Sequence, residues 1–114
     1  MIVYNKGDVI LVPFPFSDQI GSKKRPAIIV SSSNYNKSKP DLIIMALTSQ
    51  ISKTLNLGEC VIKDWKQAGL LKQSLIKPLI SSIEQTLVLK KLGSLSSTDM
   101  TSLNKVLKEI LDLI

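Results

Sequence analysis

Histidine is absent from the 114 residues. With it go the side chain that most often moves protons near neutral pH and the commonest transition-metal ligand. Cysteine occurs once, as Cys60, so no disulfide can close within the chain, and a reducing, cytoplasmic setting is expected. Aromatic residues make up 4% of a chain that is 44% hydrophobic, so the core must be built from Leu, Ile and Val. No apolar run approaches the roughly 20 residues that span a bilayer. The opening MIVYNKGD lacks the layout of a signal peptide, so no membrane role is expected. The nine acidic residues are scattered, and Glu109 and Asp112 are the closest two. No carboxylate cluster suited to magnesium is visible, so any chemistry is expected to proceed without metal or other cofactor. Arginine is almost missing as well: Arg25 is the only one, and every other cation is a lysine.

What the chain does have is positive charge. Fifteen Lys and Arg against nine Asp and Glu give a net charge of +6 and a pI near 9.6. Such a balance favours polyanionic partners, whether RNA, DNA, an acidic protein or a membrane surface. The length suits one compact domain over residues 1–114, and no repeat, low-complexity tract or linker divides it.

Short apolar runs separated by polar turns organise the sequence. GDVILVPF at 7–14 reads as a buried strand stopped by Pro13 and Pro15. The ten residues PFSDQIGSKK at 15–24 form a loop long enough to suggest a functional role. Strands are expected at 26–31, 41–48, 59–62 and 74–83, with Pro78 marking an edge or a bulge, and around Lys90 and Lys91. Residues 32–40 and 49–58 read as loops, and 64–68 as one helical turn before Gly69. Ser96 and Asp99 have the spacing of a capping box. After them Met100, Leu103, Val106, Leu107, Ile110, Leu111 and Ile114 recur at helical spacing. Strands alternating with loops rather than helices argue against a parallel sheet. The expectation is a mainly β fold with a C-terminal helix, a small and strongly bent antiparallel barrel.

Arg25 opens a strand beside Pro26. Its planar fork matches two oxygens of a phosphate and stays charged at any ordinary pH; it reads equally as a solvated strand end. Thr48 and Ser49 follow a buried run and emerge at the barrel rim. Their hydroxyls can reach a phosphate or ribose, or simply close a turn on their own backbone. Lys23 and Lys24 flank Arg25, and Lys37, Lys39, Lys53, Lys72, Lys77, Lys90 and Lys91 fall mostly in loops or at strand ends. Together they can line a groove for a nucleic-acid backbone; singly, each is a solubilising surface charge. Phe14, Phe16 and Tyr35 are candidates to stack on bases, and Trp65 reads as a core anchor.

Five segments carry a resemblance that spans nearly the whole chain: GDVILVPFPFSD at 7–18, KKRPAIIVSS at 23–32, DLIIMALTSQ at 41–50, AGLLKQSLIKPLISSI at 68–83 and LGSLSSTDM at 92–100. The sequence resembles the MazF/PemK toxins of type II toxin–antitoxin pairs, on the PemK-like branch. The resemblance implies an SH3-like barrel of the PemK/CcdB type and a homodimer. It implies cleavage of single-stranded RNA at short sequences without metal, and silencing by a cognate antitoxin, with operator DNA reached only through that antitoxin. It implies that Arg25 and Thr48 are the catalytic pair. The first loop would line the RNA groove, and Phe16, Ser17, Ser22, Lys23, Lys24, Ser49, Gln50, Lys53 and Lys77 are the expected RNA-binding residues. Some relatives carry an acid before the arginine, where Lys23 and Lys24 stand here. Some carry an acid and a glutamine in the strand matching 76–82, where this chain has Lys77, Pro78 and Leu79.

The chemistry asked of these residues is modest. RNA cleaves itself when its 2′-OH attacks the adjacent phosphorus in line and expels the 5′ oxygen. The protein must align, stabilise charge and transfer protons. Arginine is a poor base, so the base is sought in Lys24, Lys77 or water. Two other readings remain open: a toxin of the same fold that binds DNA gyrase, and an RNA-binding barrel that leaves its ligand whole.

Overall fold

The computed structural model describes residues 2–13 and 24–114. Its frame is six strands: β1 (Asp8–Pro13), β2 (Lys24–Ile29), β3 (Asp41–Thr48), β4 (Cys60–Ile62), β5 (Ser74–Glu84) and β6 (Lys90–Ser94). They form one antiparallel sheet in the order β4-β5-β3-β2-β1-β6, curled into a half-barrel. Two helices are added, α1 (Ser33–Ser38) and α2 (Ser97–Leu111). No described helix is long and apolar enough to cross a membrane.

The apolar runs lack clean alternation because both faces of the sheet are covered. On one face Ile10, Val12, Ala27, Ile29, Leu42, Ile44 and Ala46 pack with Tyr4 and Ile83. On the other Val9, Ile28, Met45, Leu47 and Ile76 meet Leu103, Val106 and Leu107 of α2. A strand buried on both sides must be apolar at odd and even positions alike.

The helix behaves as its spacing demands. Ser96 caps it by accepting from the Asp99 amide at 3.2 Å. Leu103, Val106 and Leu107 are buried, with Met100 and Ile110 packed beside them. Leu111 and Ile114, the last positions of the stripe, are exposed. Asp99 is itself buried and accepts the Lys63 and Asp64 amides, each at 2.9 Å. Those bonds tie the turn after β4 to the start of α2.

Several boundaries depart from the sequence reading. β2 begins at Lys24, two residues before Pro26. Its ladder with β3 ends at Ala27, so the residue without an amide proton sits where only β1 remains paired on the described side. Residues 33–38, expected as loop, form α1, because the Ser32 hydroxyl accepts the Tyr35 amide at 3.1 Å and starts a turn. β1 ends at Pro13, and Phe14 lies outside the described residues. Pro78 does mark a bulge: Leu47 faces Ile76 but Met45 faces Ile80, so β5 carries extra residues between them. The 63–69 segment turns as expected and closes at Gly69, whose φ of +81° suits glycine and where a Cβ would overlap the Leu92 carbonyl oxygen.

Candidate active site

Two strand ends build the site. The β2–β3 register pairs Ala27 with Ala46. Continued two residues, it sets Arg25 opposite Thr48. Alternation then puts both on the face of Ala27, Ile29, Ile44 and Ala46. Arg25 is half-buried, and its Nε is fully buried without a hydrogen-bond partner among the described residues. A buried guanidinium N–H calls for an acceptor, and a phosphate oxygen can supply one. The Thr48 hydroxyl accepts the Gln50 amide at 3.1 Å. That turn fixes the oxygen, and its own proton has no acceptor among the described residues.

Next to Thr48 on the same face lies an open, mostly polar cavity of about 460 Å³. Leu75, the register partner of Thr48, forms its wall, and Gln50, Lys77 and Glu59 contribute polar groups. Glu59 is not among the residues that the sequence singles out. Nothing local in the sequence marks it; only the pairing of β4 with β5 brings it across from Lys77. The Lys77 ammonium stands 4.0 Å from Glu59 Oε2.

The expected RNA-binding residues therefore divide. Gln50 and Lys77 line the cavity beside Thr48. Lys24 and Ser49 fall on the opposite face by alternation, and Ser49 lines a largely apolar cavity of about 470 Å³ with Leu11, Pro26, Leu70 and Leu92. Lys72 and Lys90 rim that second cavity. Lys53 is exposed in the 49–58 loop. Lys91 pairs with the buried Asp8 at 3.3 Å. Lys37 and Lys39 border a third cavity with Tyr4 and Gln85, and Tyr35 sits on α1; both follow the far end of β2 from Arg25. Trp65 packs against the core. Phe16, Ser17, Ser22 and Lys23 lie outside the described residues.

No other reactive group competes. Burial, reinforced by Asp99, pushes the Cys60 thiol from 9.0 up to about 11, which leaves little thiolate for nucleophilic work near neutrality. Among the described residues no three Cys, Asp or Glu side chains converge on a point where a metal could sit.

The arrangement is a curled antiparallel half-barrel closed by a C-terminal helix, with an arginine and a threonine at adjoining strand ends. The sequence profile described as PemK-like, MazF-like toxin of type II toxin-antitoxin system matches residues 5–111, and the chain belongs to that family. Solved structures share the fold at low identity. An endoribonuclease from a mycobacterial species, in complex with its cognate antitoxin, is 18% identical with a TM-score of 0.76, covering 100% of this chain and 98% of that one. MazF from Deinococcus radiodurans is 17% identical with a TM-score of 0.76, over 99% and 100%. A MazE–MazF complex from the same organism is 16% identical with a TM-score of 0.74, over the whole of both chains. No curated protein sequence matches the chain closely enough to count.

Proposed function

We propose that this chain is a sequence-specific endoribonuclease toxin that cleaves single-stranded RNA by attack of a 2′-OH on the neighbouring phosphorus. The reading is carried by the β2–β3 register, which, continued two residues past Ala27 and Ala46, puts Arg25 and Thr48 on one face at adjoining strand ends. Family membership and structural neighbours described as endoribonucleases support it.

Arg25 grips two phosphate oxygens and neutralises the charge that grows on them as the fifth bond to phosphorus forms. The Thr48 hydroxyl donates to a non-bridging oxygen or orients the 2′-OH. The 2′ oxygen bonds to phosphorus, the bond to the 5′ oxygen breaks, and that oxygen takes up a proton. The products are a 2′,3′-cyclic phosphate and a 5′-hydroxyl. Lys24, on the far face of β2, is poorly sited as the base. Lys77 faces Glu59 across β4 and β5, which leaves water.

The partners follow from charge and family. A +6 chain with a phosphate site suits an acidic antitoxin segment that orders on binding, and neighbours in the family are solved with their antitoxins. The active form is a homodimer in the cytoplasm.

Purified protein incubated with a long RNA in EDTA tests the reading. New ends at a recurring short word, carrying 5′-hydroxyls and lost in Arg25→Ala and Thr48→Ala, are the expected result. Intact RNA alongside trapped, cleaved DNA in a gyrase assay would replace the ribonuclease with a gyrase poison. RNA bound but whole would make the chain a binding module.

A further inference from the structure

The carboxylate of Glu59 has no part in the chemistry above, yet its setting is unusual. Its side chain is only 8% exposed but lines the cavity beside Thr48. Oε1 is occupied, accepting the Asn56 amide at 2.9 Å. Oε2 is met among the described residues only by Lys77 Nζ at 4.0 Å, beyond hydrogen-bonding distance. Glu59 is a mostly buried side chain that turns one weakly satisfied carboxylate oxygen to the cavity, an acceptor open to a ligand's N–H groups.

Register decides which part of a ligand it can meet. Thr48 pairs with Leu75 across β3 and β5. Cys60 pairs with Ile76, so Glu59 falls opposite Lys77 one step further along. Glu59 is thus two strands from Thr48, about 10 Å across the sheet. That distance is too great for proton transfer at a phosphorus held by Arg25 and Thr48. It suits a base splayed out from a nucleotide neighbouring the scissile bond, the usual mode of reading single-stranded RNA.

The chemistry of the pair then selects the base. An ammonium donates and a carboxylate accepts. Guanine alone sets two adjacent donors, N1–H and N2–H, beside one acceptor, O6. Adenine and cytosine each offer the carboxylate one donor flanked by an acceptor, and uracil offers one N–H between two carbonyls. Resting on the ribonuclease reading, we infer that Glu59 and Lys77 form a guanine-reading subsite next to the cleavage centre. Glu59 accepts from N1–H and N2–H, and Lys77 donates to O6.

The test uses the full chain, wild type and Glu59→Gln, on RNA whose cut words have first been mapped. The words share a guanosine at one fixed position near the cut. Replacing it with inosine, which lacks the N2 amino group, slows the wild type about tenfold. In Glu59→Gln the guanosine-to-inosine rate ratio falls toward one. The glutamine keeps an oxygen for the Asn56 amide, so the loop is retained; should that variant misfold, the wild-type inosine comparison still decides. Cut words with no fixed guanosine, or an inosine substrate cut as fast as its guanosine parent by the wild type, overturn the inference and leave the ribonuclease intact. An unchanged ratio in a folded Glu59→Gln does the same. Failure to cut any RNA overturns both.

Discussion

Continued two residues past its last pair, Ala27 and Ala46, the β2–β3 register sets Thr48 opposite Arg25. Each side chain is rooted in a strand that is held further along by the sheet, while its tip lies where that pairing has ended. Rigid roots and free donors are what precise positioning of a phosphate requires.

Arg25→Lys keeps the charge and loses the two-point fork. RNA cleavage by this variant is expected to fall on the order of 10²–10³-fold, with Arg25→Ala falling at least as far. Lys105→Ala, a change to an exposed lysine on α2, serves as the control and should stay within about twofold. Single-turnover rates on one defined oligonucleotide make the comparison, and a fully active Arg25→Lys would show that point charge suffices.

Thr48→Val keeps the shape and removes the hydroxyl, while Thr48→Ser keeps the hydroxyl. The valine variant is expected to lose about tenfold or more in cleavage rate, for a hydrogen bond to a charged group, and the serine variant to stay near the wild type. Equal loss in both would assign Thr48 a packing role.

Asp99 holds two backbone amides of the turn after β4 from inside the core. Asp99→Ala strands both, and is expected to cost on the order of 3 kcal/mol. Urea unfolding measures it. A midpoint unchanged from the wild type would mean that water replaces the carboxylate at no cost.

Cys60 titrates at 9.0 when unperturbed and at about 11 in the folded chain, chiefly through burial with Asp99 adding. Folding therefore favours the protonated thiol. Stability is unaffected below pH 9 and declines as pH rises from 9 toward 11, where the unfolded chain releases the proton more readily. Alkylation by iodoacetamide at pH 8 should be far slower in the native than in the urea-unfolded protein. A matching rate in the two states would contradict the burial.

Much of the fold was legible in the sequence alone. The strand runs, the Ser96 cap, the helical stripe and the bulge at Pro78 all follow from local rules that the backbone obeys wherever it goes. Arg25 and Thr48 stood out by resemblance, the one as the sole guanidinium and the other as the close of an apolar run. The short helix α1 was missed because its six residues carry no apolar periodicity, and a single serine cap starts it. Glu59 was missed for a different reason: a carboxylate at the expected start of a short strand looks like any other until its strand partner is known.

Composition and spacing by themselves determined that this chain is mainly β, lysine-rich, without histidine, and closed by an amphipathic helix, because propensity, capping and periodicity act over neighbours in sequence. Only the tertiary structure decided that the β2–β3 register runs toward Arg25 and Thr48 together, that Lys24 and Ser49 turn to the other side, and that Glu59 meets Lys77. Strand order and register join residues 18 to 23 positions apart, and a shift of one residue in register would have sent every one of these side chains to the opposite face.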